Sequence, residues 1–247
     1  RTVYDRGCST NRDRIKRLGK KNMGTVFLLG DSTCATKTIE QRPQTGWGEA
    51  FFPYLRPNWS LDNRAVNGMS STSLLGTGLL DQLNVTIAQD DWVLIQFGHN
   101  EGKPDIARFS EPYGSFQENL AIIINFIRNH GAHAILITPI SRRRFELIDG
   151  VWVLQPTHGE YPEAMKDLSR RLDVVCIDMT KETEVWLQTL GEFKSRAYFV
   201  WMEHHGRQDN THLSALGAAA VAEMTARCLD CQCPGLPFLR YASNIEL

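Results

Sequence analysis

The sequence predicts an α/β fold, a three-layer α/β/α sandwich with a central parallel sheet. Apolar runs that are too short for helices indicate buried strands at residues 26–29, 92–97, 134–137 and 174–177. Segments with helical apolar spacing lie between and after them, at residues 116–130, 161–172, 181–190 and 214–228. Because strands and helices alternate, we expect a parallel sheet covered by helices on both faces.

Length and charge indicate how the chain is organised. At 247 residues with 42% hydrophobic and 22% charged content, it can bury one sizeable core, so we predict a single domain over residues 25–247. Residues 1–24 form a basic N-terminal extension with eight Lys or Arg against two acids, whereas the remainder has nineteen against twenty-six. The extension lacks interleaved aromatic residues and an apolar face, so we expect a solvated segment with no nucleic-acid or membrane partner.

Ser32 lies at the end of the first predicted strand. It stands in the segment Gly30, Asp31, Ser32 and Thr33, at the sheet edge where open α/β sheets form their sites. A turn into a following helix would point backbone N–H groups at an anion beside Ser32. Taken alone, the segment is better explained as an ordinary helix N-cap.

Near the C-terminus, His212 supplies a candidate base and Asp209 a candidate acid. A serine is a weak nucleophile until a base takes its proton, and that base needs a third group to hold its tautomer and orientation. With two residues between them on a tight turn, the two side chains can project toward the same side. The alternative is a surface-loop histidine beside an ordinary turn residue.

Two interior turns supply candidate oxyanion donors. Asn100 follows the second predicted strand, and residues 65–68 are a third candidate strand end, where the missing Cβ of Gly68 would let a backbone N–H approach the reacting carbonyl closely. With the Ser32 N–H these groups would form a three-donor oxyanion hole. Read singly, Gly68 is a turn glycine and Asn100 a helix cap. The four signals together predict a serine esterase.

Six cysteines raise the alternatives of a metal site, disulfides and a cysteine enzyme. Cys228, Cys231 and Cys233 resemble half of a zinc site, but no second Cys or Cys/His pair with ligand spacing accompanies them. Pairing among these three would suit an oxidising compartment. Cys34 lies close to Ser32, but an Asp and a His in this arrangement fit a serine better. We therefore predict no metal and no organic cofactor.

These residues resemble the GDSL or SGNH hydrolases, a family with a flavodoxin-like fold that is named for Ser, Gly, Asn and His in four blocks. The chain is most similar to the rhamnogalacturonan acetylesterases, which remove acetyl groups from pectin backbones. That subgroup typically has a Thr-Pro stretch followed by two arginines and an aromatic residue, then His-Gly-acid-Tyr-Pro, then Asp-Asn-Thr-His. The matching residues here are Thr138, Pro139, Arg142, Arg143 and Phe145, then residues 157–162, then residues 209–212.

The chain departs from the subgroup in two places. After the second-block glycine the subgroup carries two basic residues, whereas residues 69–73 here read Met-Ser-Ser-Thr-Ser. Glu101 stands where the subgroup has Asp. The first departure concerns the binding of galacturonate-containing substrates rather than the chemistry.

The resemblance implies a serine esterase that removes acetyl groups from plant cell-wall polysaccharide, foremost acetylated rhamnogalacturonan, through an acyl-serine intermediate. An esterase or lipase acting on small acyl or lipid esters is one alternative, and a catalytically inactive carbohydrate-binding protein is another. No stretch approaches the ~18 apolar residues of a membrane span, so we expect a soluble protein. The resemblance favours a secreted or cell-envelope location and leaves a cytoplasmic one open; the sequence says nothing of oligomeric state.

Overall fold

Seven strands and six α-helices make up the part of the chain that the computed structural model describes, residues 23–201 and 208–240. The strands are β1 (Gly24–Gly30), β2 (Trp59–Asn63), β3 (Trp92–Gln96), β4 (His133–Ile137), β5 (Phe145–Ile148), β6 (Val151–Leu154) and β7 (Val175–Ile177). The helices are α1 (Ser71–Gly76), α2 (Leu79–Asn84), α3 (Gln117–Asn129), α4 (Tyr161–Leu172), α5 (Met179–Ser195, kinked at Gly191) and α6 (Ala215–Gln232).

Five of the strands form one parallel sheet in the order β2-β1-β3-β4-β7. The central strands are continuous apolar runs because both faces of a parallel sheet are covered. In β1, for example, residues 26–29 are at most 1% exposed. The register pairs Leu28 with Leu94 and Leu94 with Ile135, which aligns the carboxyl ends of β1, β3 and β4 at one edge.

Two apolar clusters lie on opposite faces of this sheet, since neighbouring residues of a strand point to opposite sides. Leu28 and Leu94 belong to the cluster that contains residues of α5 and α6. Phe27 and Val93 belong to the cluster that contains residues of α1 to α4. The predicted three-layer α/β/α sandwich with a central parallel sheet is therefore confirmed.

One local expectation is wrong and another needs a small shift. The candidate strand end at residues 65–68 lies just beyond β2, which ends at Asn63, where the side-chain oxygen accepts the N–H of Ala65. No α-helix follows Ser32 directly, contrary to expectation, and the next helical segments are 3₁₀ turns at Ile39–Gln41 and Trp47–Ala50. Pro43 and several glycines in this segment disfavour an α-helix.

The hairpin of β5 and β6 was not among the predicted elements, and neither was β2. The hairpin pairs its strands antiparallel, apart from the main sheet. Its residues Leu147, Val151 and Trp152 are all more than 40% exposed, so they lack the buried pattern that identified the other strands.

The chain ends bear on three further expectations. β1 begins at Gly24, the last residue of the predicted basic extension, and residues 1–22 lie outside the described residues. The single domain over residues 25–247 stays a prediction. In the described part of the chain, no helix has both the length and the apolar character to cross a membrane.

Candidate active site

The carboxyl edge of the sheet has a natural crevice beside β1. The strand order reverses there, because β1 is flanked by β2 on one side and β3 on the other, and such switch points are where open α/β sheets bind ligands. Ser32 follows β1, Gly68 lies in the loop after β2, and Asn100 follows β3. Three blocks that are far apart in sequence thus arrive at adjacent strand ends.

A buried hydrogen-bond network shapes the turn that carries Ser32. The Asp31 carboxylate accepts the backbone N–H and the hydroxyl of Thr33, both at 2.8 Å. Gln96 on β3 donates to the Thr33 hydroxyl at 2.6 Å and accepts the Trp47 indole N–H at 2.9 Å. Burial raises the pKa of Asp31 despite the bonds from Thr33. The turn is tied in this way to the neighbouring strand rather than to a following helix.

Ser32, His212 and Asp209 lie in one hydrogen-bonded line. His212 Nε2 is 2.9 Å from Ser32 Oγ, and His212 Nδ1 is 2.8 Å from Asp209 Oδ2. The other carboxylate oxygen of Asp209 accepts the backbone N–H groups of Thr211 and His212. Burial would raise the pKa of Asp209, but these bonds lower it to about 2. The carboxylate stays charged and holds the imidazole with Nε2 toward the hydroxyl.

The turn at residues 209–212 is held from outside by Arg143. Its backbone N–H donates to the Asn210 carbonyl at 2.8 Å, and its guanidinium donates to the Asn210 side chain at 2.9 Å. Only 2% of the Arg143 side chain is exposed, and it forms an ion pair with the equally buried Glu192. Burial lowers the pKa of Arg143, although Glu192 counters this. Arg143, the second of the two arginines that follow the Thr-Pro stretch, therefore holds the turn that carries Asp209 and His212.

The three candidate oxyanion donors line the same cleft. The Asn100 side-chain amide gives one N–H to the Met69 carbonyl at 2.8 Å, which orients the group and leaves its second N–H available. Gly68 has a φ of 77°, a conformation that favours glycine, and no protein atom lies within 4 Å of where its Cβ would be. Among the described residues, no hydrogen bond from the N–H of Ser32 or Gly68 is formed.

Glu101 joins the two loops that carry these donors. One carboxylate oxygen accepts the Ser71 N–H at 2.8 Å, and the other accepts the N–H groups of Gly98 and Asn100 at 2.8 and 3.1 Å. The side chain is fully buried. Burial raises its pKa from 4.5 to about 7, against the lowering effect of the backbone N–H groups. The residue that departs from the subgroup pattern thus braces the candidate oxyanion hole.

Lys37 is a further buried residue that the sequence patterns did not identify. Its ammonium donates to the Ser32 carbonyl and to the Asn67 side chain, and so links the loops after β1 and β2. Burial lowers its pKa. No motif marks this lysine, because its partners are a backbone carbonyl and a side chain thirty residues away.

The cleft next to Ser32 has a volume of about 530 Å³. The residues that line it are Ser32, Gln44, Asn67, Gly68, His99, Asn100, Lys103, Arg142, Thr211 and His212. A second cavity of about 450 Å³ adjoins it and shares His99, Lys103 and Arg142 with it. His158, from the matching segment at residues 157–162, lines this second cavity, and its Nε2 lies 3.1 Å from His99 Nδ1.

The described cysteines form neither a second nucleophile nor a metal site. Cys34 is fully buried, and burial followed by the Asp31 charge raises the pKa of its thiol well above the usual value. Cys228, Cys231 and Cys233 are free thiols in the structure, so the alternative of pairing among them is not realised. Within residues 23–201 and 208–240, no group of three or more His, Cys, Asp or Glu is placed to hold a metal ion.

Comparison with known proteins shows which family and which relatives the chain matches. Residues 28–220 match the GDSL-like lipase/acylhydrolase family. The chain is 37% identical over 212 residues to rhamnogalacturonan acetylesterase RhgT of Bacillus subtilis, covering 83% of this chain and 89% of the relative. It is 33% identical over 208 residues to the probable rhamnogalacturonan acetylesterase YesY of the same species, covering 82% and 90%.

Among solved structures, protein YXIM_BACsu from Bacillus subtilis superposes with a TM-score of 0.72 at 22% identity. The match covers 86% of this chain and spans 57% of that longer one, and it supports the fold alone. The fold, the four sequence blocks and the extent of the family match agree. The chain belongs to the GDSL-like lipase/acylhydrolase family and is a carboxylic ester hydrolase.

Proposed function

We propose that the protein removes acetyl groups from plant cell-wall polysaccharide, foremost acetylated rhamnogalacturonan, through an acyl-serine intermediate. The relatives named rhamnogalacturonan acetylesterase support the substrate class. The hydrogen-bonded line from Asp209 through His212 to Ser32 supports the mechanism.

The lining of the cleft is the observation that carries the choice of substrate. Each of the ten described residues that line it is polar, charged or glycine. Pockets for apolar ligands are lined predominantly by hydrophobic and aromatic side chains. A cleft without them suits the hydroxyl groups of a sugar and a short acetyl group, and it offers a long acyl chain no aliphatic or aromatic side chain to pack against.

In the acylation step, Ser32 Oγ attacks the acetyl carbonyl carbon while His212 Nε2 accepts the hydroxyl proton. Asp209 holds the Nδ1–H and stabilises the imidazolium. The carbonyl oxygen becomes an oxyanion that accepts from the N–H groups of Ser32 and Gly68 and from the Asn100 amide. The C–O bond to the sugar then breaks, and His212 returns the proton to the leaving sugar oxygen.

In the deacylation step, water attacks the acetyl group on Ser32. His212 accepts a proton from that water, and the same three donors bind the second oxyanion. Collapse of the intermediate releases acetate and restores the Ser32 hydroxyl, with the proton coming from His212. The step requires no group beyond those already in the cleft.

Acetate release from acetylated rhamnogalacturonan and acetylated xylan tests the substrate, alongside a series of 4-nitrophenyl esters from acetate to octanoate. We expect kcat/KM to be highest on the acetylated polysaccharide and to fall as the acyl chain lengthens. Preference for octanoate would overturn the carbohydrate assignment in favour of a lipid esterase.

Labelling with an organophosphate tests the nucleophile, and also the alternative of an inactive carbohydrate-binding protein. We expect stoichiometric modification of the peptide that contains Ser32, and no modification of the Ser32→Ala variant. A folded wild-type protein that takes up no label and releases no acetate would contradict the proposal.

A further inference from the structure

The cleft has an unusual charge distribution at the end away from Ser32. Lys103 and Arg142 both line the cavity next to Ser32 and also the adjoining one. Among the described residues that line either cavity there is no Asp or Glu. Two cations therefore border a continuous polar space without a carboxylate in its walls.

The charges of these two residues are not neutralised by direct contacts. The Arg142 guanidinium donates to the carbonyl oxygens of His99 at 2.8 Å and Thr157 at 3.3 Å, which position it but carry no full charge. In the described part of the chain, the Lys103 ammonium makes no hydrogen bond or ion pair, and the nearby Asp105 carboxylate is bound by Arg108. Burial lowers the pKa of Lys103, and the charges of Arg108 and Arg142 add to this, whereas the more weakly acting carboxylates of Asp105 and Asp31 raise it.

The floor between the two cavities is polar and uncharged. His99 is 6% exposed, contacts His158 through Nδ1, and has no hydrogen-bond partner at Nε2 among the described residues. Burial, together with Arg142, holds the pKa of both imidazoles well below the usual range. The positive charge in this region therefore comes from Lys103 and Arg142 and not from histidine.

We propose that Lys103 and Arg142 form a subsite for the carboxylate of a uronic acid residue of the acetylated polysaccharide. The proposal rests on the proposed function and names the part of the cleft that would recognise an acidic backbone. A planar guanidinium and a mobile ammonium match a carboxylate, and cations in a cleft raise the local concentration of an anionic substrate. The subsite also explains how the chain can bind such polymers although residues 69–73 lack the two basic residues of the subgroup.

Inhibition of 4-nitrophenyl acetate hydrolysis tests the subsite independently of polysaccharide turnover. The inhibitors are an unacetylated rhamnogalacturonan oligosaccharide with free carboxylates and the same oligosaccharide after methyl esterification. We expect the free acid to inhibit the wild type at least ~10-fold more strongly than the methyl ester, which is about the loss expected from one charge-assisted contact. Equal inhibition by the two oligosaccharides would overturn the subsite.

Three variants separate charge from structure. Lys103→Gln removes an ammonium that makes no hydrogen bond or ion pair with the described residues, so we expect the preference for the free acid to fall ~10-fold. Arg142→Lys keeps the positive charge but loses the planar guanidinium, so we expect it to retain most of the preference for the free acid. Arg142→Gln removes the charge, and we expect it to lose that preference. Arg170→Gln removes an exposed cation that lines neither cavity, and it leaves the preference unchanged. A wild-type preference that persists in Lys103→Gln and in Arg142→Gln would assign the recognition to other residues and contradict the proposal.

The test distinguishes failure of the subsite from failure of the proposed function. If 4-nitrophenyl acetate is hydrolysed but the two oligosaccharides inhibit equally, the esterase remains and the subsite is wrong. If the free acid inhibits preferentially but no acetate is released from acetylated rhamnogalacturonan, the subsite is supported and the substrate assignment is wrong.

Discussion

The two ends of the cleft differ in how their charges are held. At the Ser32 end, Asp209 and Lys37 are fixed by hydrogen bonds to neighbouring backbone and side-chain groups. At the other end, Lys103 is without a partner among the described residues, and Arg142 binds only carbonyl oxygens. Fixed charges keep reacting groups at a set geometry, whereas available charges attract a ligand. The comparison predicts that substitutions at the first end change turnover and that substitutions at the second change selectivity.

The largest expected effect comes from Ser32→Ala at the catalytic end. Without the hydroxyl there is no nucleophile for His212 to activate, so we expect kcat for acetate release to fall by at least ~10⁴-fold. Adding His212→Ala to this variant should cost little more, because the two residues act as one unit. If the two substitutions lowered kcat independently, so that their effects multiplied in the double variant, Ser32 and His212 would not act as one catalytic unit.

Asn100→Ala removes one of the three proposed oxyanion donors. We expect kcat to fall ~10²- to 10³-fold while KM changes little, since the missing bond forms mainly in the transition state. Asn119→Ala, which loses an amide on α3 that lines no part of the cleft, is the matched control. A loss that appeared in KM alone would assign Asn100 to substrate binding.

Arg143→Met breaks the buried support of the turn at residues 209–212. It leaves the Glu192 carboxylate buried with Arg196 as its remaining partner, so we expect the free energy of unfolding to fall by about 3 kcal/mol. Arg144→Met, at the next position, breaks an exposed ion pair with Glu146, and we expect it to lower the free energy of unfolding by less than about 1 kcal/mol. Urea unfolding measures the free energy of unfolding of both variants. Equal losses would show that the burial of Arg143 adds nothing to the stability of the protein.

Glu101 predicts a pH dependence of stability. Its pKa in the folded protein is about 7, above the ordinary 4.5, so the folded state favours the protonated form. The corresponding stability is present below about pH 4.5 and is lost as the pH rises to about 7, by about 3 kcal/mol in total. Urea unfolding between pH 4 and 8 should show this fall in the difference in stability between the wild type and Glu101→Gln, which cancels the contributions of other titrating groups such as His99 and His158. The difference between the wild type and the exposed control Glu118→Gln should stay nearly constant over the same range.

Salt gives the smallest expected effect and distinguishes the two ends of the cleft directly. Raising the ionic strength from about 0.01 to 0.3 M screens exposed charges, so inhibition by the free-acid oligosaccharide should weaken several-fold. Turnover of the neutral 4-nitrophenyl acetate should stay nearly constant over the same range. A parallel fall in both would mean that salt acts on the catalytic groups and not on Lys103 and Arg142.

Predictions from the sequence succeeded where a local pattern has one structural solution. The helix at residues 161–172 appears with the bounds expected, because an amphipathic stretch after a proline at its start has little alternative. The buried strands β1, β3 and β4 were recognisable from continuous apolar runs. The β5–β6 hairpin was missed because most of its apolar side chains, among them Leu147, Val151 and Trp152, are exposed.

The two adjacent arginines show where local pattern stops being sufficient. The sequence motif contains Arg142 and Arg143 side by side, and nothing in it distinguishes them. In the structure Arg143 is buried against Glu192, while Arg142 faces the cleft. Successive residues of an extended segment point to opposite sides, so only the packing around the segment decides which arginine reaches a ligand.

The sequence by itself determined the fold class, the family and the residue types of the candidate site, because each depends on short-range periodicity or on the order of motifs along one chain. Only the tertiary structure decided which groups lie within hydrogen-bond distance: Lys37 beneath Ser32, Glu101 between the two oxyanion loops, and Lys103 beside Arg142. The physical reason is that the fold brings together residues as far apart in sequence as Ser32 and His212, which are separated by 180 positions, and hydrogen bonds and charges act through space rather than along the chain.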